Sequence, residues 1–234
     1  MNIQYKVEPY TVAKSSWPKT GRHILATYDH EIVVVYQAYK LSIAKWVVNN
    51  QTFIGCPDYS TDRMTWIKPN FLWMMYRSGW ATKTSQERIL AIAVRREGFE
   101  EILRLSKRHG KDKALEESSK CQSKYGSDDV RIQWDPDHDV HGNNLERRAI
   151  QLGLRGNALK TFLSEWVVAI HDITEFVHQQ YQFVKDDNLN LLQVPAEKVY
   201  VISDSNLCKH LGLDQLDDTE LKEQGNYVHG KDDG

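Results

Sequence analysis

Cysteine is scarce in this chain: Cys56, Cys121 and Cys208 are its three in 234 residues, with no CxxC pair. An odd count so widely spaced argues for free thiols, and against both a disulfide framework and a zinc cage. Long apolar runs are missing too. Continuous runs such as IVVVY from Ile32 and WVVAI from Trp166 have the length of strands, which excludes a membrane-spanning helix. The opening residues, MNIQYKVEPYTVAK, lack the apolar stretch of a secretory signal, so the expected compartment is the cytosol or the nucleus. Neither GxxxxGK followed by Ser or Thr, nor GxGxxG after a strand, nor GxSxG, nor HExxH occurs. P-loop, Rossmann, α/β-hydrolase and zinc-protease chemistry therefore fall away.

What is present suits a folded chain. Apolar residues make up 41% and charged residues 26%, enough to bury a core, and the length fits one domain. A single domain over residues 1–234 is expected, with residues 222–234, polar and glycine-containing, as a disordered tail. The net charge of −2 conceals an asymmetry: residues 1–124 carry 20 Lys+Arg against 12 Asp+Glu, and residues 125–234 carry 10 against 20. The two halves should attract each other. The basic stretch Arg77 to Lys124 would suit a phosphate-bearing ligand or nucleic acid. Within it, however, REGFEEILRLSKRHGKDK alternates charge around an apolar stripe of Phe99, Ile102, Leu103 and Leu105, which favours a solvated helix face.

Periodicity predicts strands at Glu31–Tyr39, Arg63–Pro69, Arg88–Arg96, Val130–Trp134, WVVAI and Lys198–Ser203. Helices are expected at Leu41–Asn49, from an Asn70 cap through Trp80, after Arg96, at Thr174–Lys185 and at Leu207–Leu213. Asp135-Pro136 should close its strand with a turn. His109–Asp129 reads as a helix-plus-loop excursion, and Asn144–Ser164 as mostly helix, interrupted between Gly153 and Gly156. The fold class is α+β, with mixed or antiparallel sheets and flanking helices.

Two segments offer chemistry. DPDHDVH places Asp135, Asp137, His138, Asp139 and His141 within seven residues, and metal-dependent hydrolysis would use them. A polar turn after a strand explains the same composition, no known cage has this ligand spacing, and no metal is expected. The other segment, RMTWIKPNFLWMMYRSGWATK, sets Trp66, Phe71, Trp73, Tyr76 and Trp80 among Arg63, Lys68, Arg77 and Lys83. Part of that stripe is core packing. The regular interruption by cations nevertheless suits a planar, phosphate-bearing ligand, held by stacking and charge.

That segment, with VVYQAY at Val34–Tyr39, VRIQWDP at Val130–Pro136, IQLGLRG at Ile150–Gly156 and SEWVVAIHDIT at Ser164–Thr174, resembles the family known as domain of unknown function 4291, over roughly residues 20–200. The order of elements is also similar to the ADP-ribosyltransferase superfamily, above all to compact toxins that modify nucleic acid. That resemblance implies an ADP-ribosyltransferase-like fold and NAD as substrate. Glu165 would be the carboxylate that stabilises an oxocarbenium-like ribose. Gln37 would join it by hydrogen-bonding the carboxamide or ribose. Trp66, Trp73 and Tyr76 would hold nicotinamide, Tyr36 and Tyr39 would belong to the same NAD-binding set, and Arg63, Lys68 and Arg77 would neutralise the pyrophosphate. The acceptor of ADP-ribose would be nucleic acid or another molecule. The alternative is a binding module for a nucleotide or nucleic acid, without catalysis.

Overall fold

Val33, Val34, Val35 and Tyr36 are all fully buried, although neighbouring side chains of a strand face opposite sides of its sheet. Both faces must therefore be covered, and an unbroken apolar run is the sequence such a strand needs. The computed structural model describes residues 6–108 and 124–215. Through them run β1 (Val7–Pro9), α1 (Tyr10–Ser16), β2 (Gly21–Arg22), β3 (Leu25–Ala26), β4 (Ile32–Tyr39), α2 (Leu41–Asn50), β5 (Thr65–Ile67), α3 (Phe71–Ser78), β6 (Arg88–Arg95), α4 (Arg96–Leu105) and β7 (Lys107–Arg108). There follow β8 (Val130–His138), β9 (Asn144–Leu154), α5 (Gly156–Thr161), a π-helical turn (Phe162–Trp166), β10 (Val167–Asp172), α6 (Thr174–Lys185), β11 (Gln193–Pro195), β12 (Lys198–Val199) and α7 (Ser205–Leu211). The class is α+β, with mixed and antiparallel sheets.

Two sheets frame the molecule. One is antiparallel, in the order β10-β6-β4; in the other, β9 pairs with β8 on one edge and with β2 and β5 on the opposite edge. They meet where Tyr36 and Lys68 exchange backbone hydrogen bonds of 2.7 and 3.3 Å. Alternate residues of β4 and β6 feed two cores. Val33, Val35, Leu90 and Ile92 pack with α2, α4 and the inner side of β8–β9, whereas Val34, Tyr36, Ile89 and Ala91 pack with α3 and α6. Arg88 on β6 and Asp172 on β10 pair at 2.6 Å, one attraction between the basic and acidic halves. No helix among the described residues is long and apolar enough to cross a membrane.

Several expected elements change. Asn144–Leu154, expected to be helical, is the eleven-residue strand β9. Its two faces are both covered from Ala149 to Leu154, so apolar and polar residues do not alternate cleanly, and Glu146-Arg147-Arg148 looks like a solvated helix face. Arg147 is in fact buried. β8 continues through Asp135-Pro136 to His138, because its register shifts between Pro136 and His138, and an irregularity of this kind tolerates a proline in a sheet. The strand expected over Lys198–Ser203 shortens to two residues. α3 stops at Ser78 because Gly79 takes a left-handed φ of 58° and donates its N–H to the carbonyls of Met75 and Tyr76. Residues 109–123 of the expected excursion, Cys121 and the expected tail at 222–234 lie outside the described residues. Cys56 and Cys208 are free thiols.

α4 shows how tightly the first core closes. A Cβ added to Gly98 would overlap the Trp166 ring. Overpacking costs about 1–3 kcal/mol and alanine gains ~1 kcal/mol over glycine inside a helix, so Gly98→Ala is expected to lower stability by up to about 2 kcal/mol. Urea denaturation should show the midpoint falling; a raised midpoint would contradict the contact.

Candidate functional site

Strand β4 leaves the core at its C-terminal end, and the side-chain face that carried Val33 and Val35 next carries Gln37. There a cleft of about 340 Å³ opens, within the size range of small-ligand sites. Its lining comes from β4 (Gln37, Tyr39), the loop before β5 (Asp58, Tyr59, Arg63), β5 and the residue after it (Trp66, Lys68) and α3 (Met74, Arg77). Local sequence explains this gathering. Asn70 caps α3 by accepting a 2.6 Å hydrogen bond from the Trp73 N–H. α3 therefore starts directly after the Lys68-Pro69 corner, and its Met74 and Arg77 turn toward the end of β4.

The cleft is graded in polarity. Arg63 and Arg77 are exposed at its mouth, while Lys68 and Gln37 are only 7% and 5% exposed at its floor. Among the described residues, no carboxylate forms an ion pair with Arg63, Lys68 or Arg77. Asp58, the acid in the lining, is already engaged by Lys40 at 3.2 Å. Burial pushes the Lys68 amine down from 10.5 to about 8; Arg77 pushes it the same way, and Asp135 opposes. Holding the ammonium in the folded protein is therefore costly, and an acceptor oxygen of a ligand would relieve part of that cost. At the far wall Tyr39, Tyr59 and Phe53 form an aromatic cluster, with Tyr39 and Phe53 each within 6.1 Å of Tyr59. The Tyr59 hydroxyl bonds Thr65 at 2.7 Å. Burial holds the Tyr39 hydroxyl well above its ordinary pKa of 10.

The expected site residues thus divide. Gln37, Tyr39, Arg63, Trp66, Lys68 and Arg77 come together in the cleft. Tyr36 does not: it is fully buried against Phe71, on the opposite face of β4. Trp73 and Tyr76 also turn away, because α3 points them at the end of β8, where Tyr76 stacks on His138 at 3.4 Å and Trp73 on both. Glu165 lies at the other end of the sheet. In the π-helical turn Phe162, Leu163 and Trp166 face inward, leaving Glu165 outward with a side chain 58% exposed and 3.4 Å from Lys124. Its carbonyl accepts from Arg95, whereas Gln37 pairs with Leu90 on the same strand, roughly 16 Å along β6. Sequence reasoning missed Tyr59. An aromatic ring within the polar loop CPDYSTDR was the available signal.

The acidic-histidine segment is occupied by structural contacts. Asp137 pairs with Arg147, His138 is covered by the α3 rings, and Asp139 accepts from the backbone of His141 and Asn143. Asp135 is held by the amides of Gln133 and Gln151 at 2.9 and 2.8 Å. Among the described residues, no three His, Cys, Asp or Glu side chains gather as a metal site.

The cleft lies between residues 37 and 86, inside the stretch 23–200 that matches the family model described as Domain of unknown function (DUF4291). The chain belongs to this family. The matched stretch takes in β4, α2, β5, α3 and β6, so the DUF4291 region holds every element that lines the cleft. No curated protein matches the chain.

Proposed function

We propose that this chain binds a nucleotide in the cleft, with NAD as the first candidate. The observation that carries the reading is the meeting of three cations that form no ion pair among the described residues, Arg63, Lys68 and Arg77, with the rings of Trp66, Tyr59 and Tyr39 in one concavity. Arginine forks at the mouth suit phosphate oxygens, and the rings suit a planar base. The succession of β4 and α2, then β5, α3 and β6, supports an ADP-ribosyltransferase-like arrangement. Transfer of ADP-ribose through Glu165 draws no support from the cleft, since Glu165 stands outside it. The proposal is therefore nucleotide binding, and nucleic acid enters as a ligand that presents the same groups.

Calorimetric titration with ADP, NAD and pyrophosphate tests this. Binding is expected, and Arg63→Ala and Arg77→Ala should each weaken it by roughly tenfold or more, the worth of a charge-assisted hydrogen bond. Glu165→Gln should leave affinity unchanged. Because Lys68 carries its proton below a pKa of about 8, affinity should fall as pH rises through that value, with proton uptake on binding near it. Absence of binding by all three ligands at millimolar concentration would end the proposal.

A further inference from the structure

We infer that the floor of the cleft reads an amide edge: Gln37 and Lys68 together receive a neutral group that carries an N–H donor beside a carbonyl acceptor. A carboxamide and the lactam edge of a nucleobase share this chemistry. The inference rests on the cleft being a nucleotide site and adds which end of the nucleotide enters first.

Both floor side chains reach one atom, the backbone oxygen of Trp66, to which Gln37 Nε2 donates at 3.2 Å and Lys68 Nζ at 3.4 Å. The two donor nitrogens therefore converge on that oxygen. The bond to Trp66 also fixes the orientation of the Gln37 amide, because only its NH₂ end can face a carbonyl oxygen. Its other end, Oε1, is buried and has no hydrogen-bond partner among the described residues. Such an orphan acceptor carries the cost of lost hydration with no return, and a ligand N–H placed against it removes that cost.

A phosphate oxygen at the same point would meet the Gln37 oxygen lone pairs, acceptor against acceptor. Lys68 adds the complementary donor, so Gln37 and Lys68 bring one acceptor and one donor to the same floor. An amide edge presents the reverse. The exposed arginines at the mouth are then left for the phosphate, which keeps the more strongly hydrated group nearer to water.

Titration of the full chain with matched ligand pairs tests the inference. Nicotinamide mononucleotide and nicotinic acid mononucleotide differ by a carboxamide against a carboxylate. Uridine 5′-monophosphate and its 3-methyl derivative differ by the ring N–H. Ribose 5-phosphate supplies phosphate alone. In at least one pair, the member that keeps the N–H is expected to bind about tenfold more tightly; which pair shows it separates a nicotinamide ligand from a nucleobase. Gln37→Met should collapse that ratio toward one, and a ratio that persists in the folded variant would remove Gln37 from the recognition. Equal affinities within both pairs of the unmodified protein, with ribose 5-phosphate still bound, would overturn the amide edge alone. Failure of every phosphate compound to bind would overturn the nucleotide site together with it.

Discussion

Replacing Arg147 with methionine is expected to lower the stability of the fold by about 3–5 kcal/mol, the cost of leaving a buried charge without its partner. The side chains of Arg147 and Asp137 are only 6% and 0% exposed, and Nη2 lies 2.7 Å from Oδ2. Nε reaches the same oxygen at 2.8 Å, Nη1 donates to the Pro18 carbonyl at 2.7 Å, and the guanidinium lies over the Trp17 ring. The other carboxylate oxygen accepts from the His138 N–H at 2.8 Å. Every charged atom of the pair is thus matched, and removing either partner strands the rest. The double replacement, Asp137→Ala with Arg147→Met, should recover much of the loss, since it leaves no orphan charge. A urea double-mutant cycle checks this. Additive single losses would show that the two side chains are not coupled. Binding should suffer as well, because Asp137 adjoins His138, the ring on which Tyr76 of α3 rests.

The same pair shows why β9 was hard to read in the sequence. A charged residue such as Arg147 marks a solvated position unless its partner is known, and Asp137 lies ten residues away, across a hairpin. By contrast β4, α3, β6, α4 and α6 were legible, because their signals are local. IVVVY needs cover on both faces, Asn70 caps its own helix, and Phe99, Ile102 and Leu103 recur at helical spacing. Pro136 misled for a related reason. A proline is disruptive in a regular ladder, and nothing in the neighbouring residues announces that the register slips beside it.

The candidate site was legible in composition rather than in membership. Rings and cations in one segment announced a ligand-facing surface, and Arg63, Trp66, Lys68 and Arg77 take that role in the cleft. Trp73 and Tyr76 belong to the same stripe, yet they point elsewhere. α3 turns about 100° per residue, so Met74 and Arg77 face the cleft while 73 and 76 face His138. The helix phase, set by the Asn70 cap and by packing on β4 and β8, decided between them. Glu165 was singled out by its place before a strand, and no local signal tells at which end of a sheet a strand begins.

Glu197→Gln is expected to gain stability relative to wild type as pH rises from 4.5 upward. Glu197 sits between β11 and β12, buried, and its two oxygens accept the Phe71 N–H at 2.6 Å and the Asn70 side chain at 3.2 Å. It therefore satisfies the N-terminus of α3, the helix that supplies Met74 and Arg77 to the cleft. Burial holds its carboxyl well above the ordinary 4.5; Asp137 and Glu8 push the same way, and the Phe71 N–H and Arg147 oppose. The folded protein consequently keeps a proton that the unfolded chain gives up near 4.5. Stability from this group is complete below that pH and is lost as pH climbs through the folded value. Glutamine keeps an oxygen for Phe71 but turns its NH₂ toward the Asn70 donor, a loss that does not vary with pH; having no such proton to lose, it should gain on wild type over that interval and then level off. Glu197→Ala is the contrasting case: with no acceptor left, each abandoned donor should cost about 1–3 kcal/mol whatever the pH. Urea unfolding of the three proteins across the range checks both statements. A flat difference between glutamine and wild type would mean that the folded state stabilises the ionised carboxylate as well as water does.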